Sequence, residues 1–194
     1  MLTVSPVQDR VESLLAAGEL SCPACEGEGR LAPWGWARPR RVGRAGRGRE
    51  VVPRRSRCHA CGATHVLLPV VMLARRGDWA QVIGRALEMR VAGVGQRPIA
   101  AVIGVPRSTV RGWLARFVAV AERLRAHFTR WAMWRHPGLV RLDPMGSVPG
   151  DALAAIVAAA DEAGLAGRWR FVSAATGGRL LSNTSSPYPS PWMD

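Results

Sequence analysis

All four cysteines of this chain fall into two pairs with the same inner spacing, Cys22-Pro23-Ala24-Cys25 and Cys58-His59-Ala60-Cys61-Gly62, set 32 residues apart. A C-x-x-C turn aims two thiolates at one centre, and two such turns complete a closed tetrahedral zinc site. Pro23 and Gly62 suit the tight backbone of these turns. Four sulfurs leave no open coordination position. The expected zinc is therefore structural, its binding energy folding a ribbon too small to be held by its own core. His65, just past the second knuckle, is the one alternative ligand. His59, inside that knuckle, is expected to face solvent or phosphate. A redox role for the pairs lacks the surrounding βαβ pattern it would need.

Charge is distributed as unevenly as the cysteines. The 194 residues carry a net charge of +13, with 27 Arg and no Lys. Residues 38–141 hold 22 Arg against four acidic residues, a local excess of +18, while the flanking parts hold two against five and three against five. Such a footprint favours a polyanion. The use of Arg alone, beside abundant Ala, Gly and Val, reads as a coding bias, so the position of the charge is the informative part. No basic n-region precedes an apolar run at the N-terminus, and no apolar stretch reaches the ~20 residues of a membrane span. The expected setting is cytoplasmic and nucleoid-associated, where thiols stay reduced and favour metal.

Hydrophobic periodicity predicts a mainly α protein with a small zinc β-ribbon, the ribbon preceding a helical domain. Residues 1–19 read as an N-terminal helix starting at Ser5-Pro6, with Val7, Val11, Leu14 and Leu15 on one stripe. Residues 20–70 read as the ribbon, with extended pieces at Leu31 to Trp36 and Thr64 to Leu68. Its insert, residues 38–57, has nine Arg and three Gly in 20 residues and reads as a solvated, mobile loop able to track phosphates. A second helix is expected from Asp78, a short one over Pro98 to Ile103, and one long helix or two from Arg107 to about Trp134. Pro137-Gly138 and Pro144 to Gly150 read as a linker. Residues 150–181 form an accessory helical segment beginning with a cap at Asp151, and residues 182–194 a disordered tail.

Within residues 77–136 the run from Arg97 to Leu114 has the pattern of a helix-turn-helix. Ala100 is small where two helices would touch, Gly104 tolerates a left-handed turn, and Ile99, Ile103, Val105, Val110 and Trp113 supply a shared core. The second helix would then show Arg107, Ser108, Thr109, Arg111 and, one turn on, Arg116 to DNA, where Arg can grip guanine and hydroxyls can reach base or phosphate. Arg54, Arg55 and Arg57 of the insert are expected to add phosphate contacts. Trp113 and Trp131 fall on the apolar stripe and are expected in the core.

The stretch C-H-A-C-G-A-T-H-V-L-L from Cys58, continuing through R-R-G-D-W to I-A-A-V-I-G-V-P-R-S-T-V-R-G-W-L, resembles actinobacterial proteins of unknown function with a zinc ribbon and a helix-turn-helix. These in turn resemble the N-terminal, DNA-binding half of insertion-element transposases. The resemblance covers roughly residues 20 to 135. It implies DNA binding linked to mobile elements and brings no catalytic residues with it.

Three functions fit the sequence to different degrees. The first is a non-enzymatic double-stranded DNA-binding protein, a regulator or an accessory factor working with a separate transposase or recombinase, with a homodimer compatible. The second is an enzyme, a transposase that retains its chemistry, as distinct from a truncated transposase that retains only target recognition. Strand transfer needs well-separated carboxylates around two metal ions, whereas Glu122, Asp143, Asp151, Asp161, Glu162 and Asp194 crowd near a linker and one helix. The third is a zinc-ribbon module that binds RNA or protein.

Overall fold

Strand β6 (Thr64–Pro69) organises the β-layer because both its edges are paired and both its faces are covered. The computed structural model describes residues 1–25, 28–43, 48–139, 141–160, 164–183 and 187–189. One edge of β6 pairs antiparallel with β5 (Arg54–Cys58), which pairs antiparallel with β2 (Leu31–Trp36). The other edge pairs in parallel with β1 (Leu2–Val4). Alternation along β6 sends Leu67 to one side, where it meets Val4, Leu31 and the Val11 and Leu15 stripe of helix α1 (Gln8–Ala16). Leu68 points the other way, to Val42 and Met72.

Two expectations for this half need correction. The helix predicted from Ser5 begins only at Gln8, and Ser5 Oγ instead accepts a hydrogen bond from the Val7 amide at 3.2 Å. The residues before it are β1, which binds β6 through its backbone while Val4 enters the core. Three residues are too few for a period-2 pattern to show. The insert 38–57 is also not a loop among the described residues. It forms a hairpin of β3 (Arg40–Val42) and β4 (Arg49–Val51) and then most of β5. Val42, fully buried against Leu68 and Met72, anchors the hairpin despite its basic surroundings. Arg44 and Arg47 lie outside the described residues.

Helices α2 (Ala80–Val91), α3 (Gln96–Ile103), α4 (Arg107–Arg135), α5 (Val148–Ala160) and α6 (Gly164–Ala175) form the second layer around one core. The predicted start of α2 shifts by one residue: Asp78 is buried, and Trp79 takes the N-cap. A single 29-residue helix, α4, runs where one or two were expected. Trp113 is buried as predicted, while Trp131 is half-buried, its ring edge-on to Phe171 and Trp134.

The segment read as accessory turns out to be integral. Helix α5 lays the fully buried Ala152, Ala155, Ile156 and Ala159 into the core shared with α4, and the three alanines let the backbones approach closely. Its cap is Ser147, whose Oγ accepts from the Gly150 amide, while the Asp151 carboxylate accepts from the Met145 amide at 2.6 Å. Helix α6 buries Trp169 completely over α2. The indole Nε1 donates to Glu88 Oε1 at 3.0 Å, beside an Arg168–Glu88 ion pair of 2.7 Å. Tyr188, in the tail expected to be disordered, stacks with Arg123 and accepts a hydrogen bond from it at 2.9 Å. The remainder of that tail, 184–186 and 190–194, lies outside the described residues. Among the described residues no helix is long and apolar enough to cross a membrane.

Gly84 is the contact point of α2 with Trp169, and a β-carbon built there would collide with the indole. Helix propensity alone would make Gly84→Ala stabilising by about 1 kcal/mol. The ring is fully buried, and overpacking of this kind costs about 1–3 kcal/mol. Net destabilisation is therefore expected, read as a lower urea midpoint.

His127 is buried on α4, and its Nε2–H donates to the Ala175 carbonyl at 2.8 Å. That bond fixes the tautomer, so the Trp131 indole N–H, 3.2 Å away, packs against Nε2 without donating to it. Burial pushes the imidazole pKa down to about 4 against its ordinary 6.5, despite the carbonyl, and Arg130 and Arg179 add to the depression. Below pH 6.5 the unfolded chain takes up a proton that the folded one refuses, so stability falls progressively between those values as pH is lowered. His127→Gln keeps a donor for Ala175 without titrating. Denaturation midpoints of this variant should fall less steeply over that window than those of the parent.

Candidate metal centre and basic surface

The two C-x-x-C turns meet at one point between α1 and the β2–β5 pair. In the first, the Cys25 amide donates to the Cys22 carbonyl, and the chain returns to bring the Gly29 carbonyl onto the Cys22 amide at 2.7 Å. In the second, Gly62 adopts a left-handed φ of 72° and its amide donates to the Cys58 carbonyl, while the Cys58 amide bonds the Ala63 carbonyl. Register then locks the halves together, because Leu31 pairs with Cys58 across the sheet.

The Sγ atoms of Cys22, Cys25, Cys58 and Cys61 all lie within 4.8 Å of one another, with Cys22–Cys61 at 3.9 Å and Cys25–Cys58 at 3.8 Å. Sulfurs at the corners of a tetrahedron with ~2.3 Å metal–sulfur bonds stand about 3.8 Å apart. The four cysteines thus form a tetrathiolate-like arrangement that could bind a metal ion.

The electrostatics of the thiols fit that role. Cys25 is pushed up to about 12, first by hydrogen bonding with Cys61 and then by burial. Burial raises Cys22 as well. Cys58 is lowered to about 7 by the Cys61 backbone amide, with help from that of Ala60. Backbone donors thus favour one thiolate, while the neighbouring sulfurs oppose a second and a third. A cation resolves that repulsion.

His59 is exposed, as expected. His65 approaches the cluster without joining it: its Nε2 lies 3.3 Å from Cys22 Sγ and its Nδ1 3.3 Å from the Met1 amine. Such an imidazole orients a ligand from outside the coordination sphere. Gly29 is a residue that spacing alone does not reveal. A β-carbon there would run into Cys58 Sγ and press on Cys25 Sγ at 3.1 Å. The return of the first knuckle thus needs a glycine for room.

The residues expected at a nucleic-acid surface fall in two places. Arg107, Ser108, Arg111 and Arg116 are exposed and Thr109 is half-buried, all on the first turns of α4. The turn before them is set by Gly104 at φ 74°, and Ile99, Val105, Val110 and Trp113 are buried behind it. No acidic residue stands in that first turn. Arg116 lies back on its own helix, with Nη1 on the Gly112 carbonyl at 3.0 Å.

Arg54, Arg55 and Arg57 are not loop residues but belong to β5. Arg54 pairs with Glu12 at 2.9 Å, bonds the Gly35 carbonyl and lies 4.8 Å over Trp36. It is a strut joining α1 to the ribbon. Arg57 lies 4.7 Å over Trp34 and reaches the Gly62 carbonyl, while Arg55 is half-buried and faces Thr64 Oγ1. Sequence reasoning passed over both tryptophans. Their signal was the placement of Trp34 and Trp36 at the outer end of a strand whose core-facing residue is Leu31.

Metal analysis of protein purified under reducing conditions should return one equivalent of a divalent ion per chain. Gly29→Ala should lower that occupancy and the thermal midpoint together, and a chelator should unfold the ribbon of the parent. Occupancy well below one in the parent would count against the site. No family model, curated protein or solved structure matches the chain, so its chemistry is read from these residues alone.

Proposed function

We propose that the protein is a non-enzymatic, double-stranded DNA-binding protein in which a structural zinc ion holds the ribbon and the α3–turn–α4 unit acts as a helix-turn-helix. The observation that carries the reading is the cluster of Arg107, Ser108, Thr109 and Arg111 at the amino-terminal end of α4. There the helix dipole and free backbone N–H groups already favour an anion, and apolar residues behind fix the angle between α3 and α4. Arg107 and Arg111 are the base-reading residues, Ser108 and Thr109 reach base or phosphate, and Arg116 lies one turn further along the same helix.

Zinc follows from the donor set, since four thiolates in a tetrahedron suit this ion and leave it no vacancy with which to activate water. The biological role that fits is a regulator or accessory factor of a mobile element, acting beside a separate transposase or recombinase, and cytoplasmic at the nucleoid. Asp143 and Asp151 flank the start of α5, and Asp151 is committed to the Met145 amide. Asp161 and Glu162 lie outside the described residues. Among the described residues these carboxylates are not gathered into a two-ion site, and binding without cleavage is proposed.

Duplex affinity should fall steeply as salt rises, because phosphate contacts release counterions. Arg107→Ala and Arg111→Ala should each reduce discrimination between an enriched genomic site and scrambled DNA by about 1–3 kcal/mol. Arg55→Ala should lower affinity for both DNAs alike. Fluorescence anisotropy on the two duplexes measures both effects. Unchanged sequence preference in both α4 variants would remove the recognition-helix assignment.

A further inference from the structure

The ribbon carries a second feature, independent of α4, whose aromatic part is not needed for binding a duplex. Arg54 and Arg57 are three residues apart on β5, so they point to opposite faces of the sheet. Each lies over a different tryptophan, Arg54 over Trp36 and Arg57 over Trp34. A register shift between Pro33 and Trp36 is what turns the two indoles apart. Trp36 goes with Arg54 toward α1 and Glu12. Trp34 stays on the outer face, where Ala32 pairs with Arg57.

That outer face is the one not backed by α1. A cavity of about 320 Å³ opens on it, lined by Ala32, Pro33, Trp34, Arg57, Cys58, His59 and Gly62. Trp34 is 51% exposed. Alternation from the core-facing Leu31 and Ser56 puts Arg30 and Arg55 on the same side, and strands β2, β5 and β6 contain no acidic residue. The face therefore presents a large aromatic plane, a guanidinium stacked on it, and further positive charge with no carboxylate on those three strands.

We propose that this face binds an unpaired base of a single nucleic-acid strand, the base stacking against Trp34 and Arg57 in the cavity and the flanking phosphates lying along Arg30 and Arg55. The chemistry selects that partner. Paired bases are stacked on one another and hide their faces, whereas an unpaired base offers a π-face to an indole or a guanidinium plane. An acidic peptide would use the arginines but leave the indole idle. The site goes beyond duplex binding by α4, and one protein can hold both.

The test uses the full-length, metal-loaded protein with fluorescent homopolymers of about 15 nucleotides, a length within the range covered by known single-strand-binding domains. Deoxythymidine and uridine strands are separate arms, and the tighter one identifies the source of the base. The parent should bind with quenching of tryptophan fluorescence. Trp34→Ala should weaken single-strand binding about tenfold or more, the scale of one lost base stack. Trp34→Phe should recover most of it. Trp36→Ala, on the opposite face, should keep single-strand affinity within about twofold of the parent. Duplex affinity of Trp34→Ala should match the parent, and metal content should report that the ribbon is intact. Parent-like single-strand binding by Trp34→Ala overturns the proposal, as does an equal loss on duplex and single strands, or no single-strand binding by the parent. Each of these outcomes is separable from failure of the α4 assignment, which is read on duplex selectivity in the Arg107 and Arg111 variants.

Discussion

Four sulfur atoms drawn into a space under 5 Å across set the constraint from which the ribbon follows. The two turns that bear them are 32 residues apart in sequence, and closing that interval fixes β2 against β5 with Leu31 opposite Cys58. Once β5 is placed, β6 pairs with it, and β1 can add in parallel at the far edge. The core under this sheet is small: Val4, Val11, Leu15, Leu31 and Leu67 with two of the cysteines themselves. A layer of that size has little apolar burial to set against the entropy of ordering its chain. The charge on the thiolates is therefore a structural matter, since repulsion between them acts on the element that holds the strands in register.

Positive charge plays several roles that a count of arginines merges. Arg54 bridges Glu12, Gly35 and Trp36, Arg168 supports the Glu88 that also holds Trp169, and Arg76 closes on the Leu181 carbonyl. Burial lowers the pKa of Arg76 and Arg179, a sign that these guanidiniums give up hydration for the fold. Exposed arginines remain in several parts of the chain, among them Arg107 and Arg111 at the start of α4 and Arg57 on the outer face of the ribbon.

The sequence made legible those features that depend on local pattern. The cysteine spacing, the extents of β2 and β6, the left-handed Gly104 and the apolar stripe behind α4 all follow from turn chemistry or from a period of two or 3.6. What it hid depends on distant partners. Val42 becomes a core residue only because Leu68 and Met72 stand opposite it, so the insert around it looked like solvated coil. β1 exists because β6 has a free edge. The segment after Pro137 looked accessory because its burying surface, on α2 and α4, lies tens of residues earlier. At the cysteine cluster the four thiols were plain from spacing, but the room that Gly29 leaves for sulfur was not, since glycine there has no unusual backbone angle to mark it.

The burial of Trp169 over Gly84 also orders events in time. All strands of the sheet are present once residue 69 has emerged from the ribosome, whereas α2 has no ring to cover its glycine notch until about 100 residues later. At ~5–20 residues per second that is an interval on the order of 5–20 s. Throughout it, the cysteine cluster and its strands can already close, while the apolar faces of α2, α4 and α5 wait for α6. The apolar surface left uncovered during synthesis therefore belongs to the helical layer rather than to the ribbon.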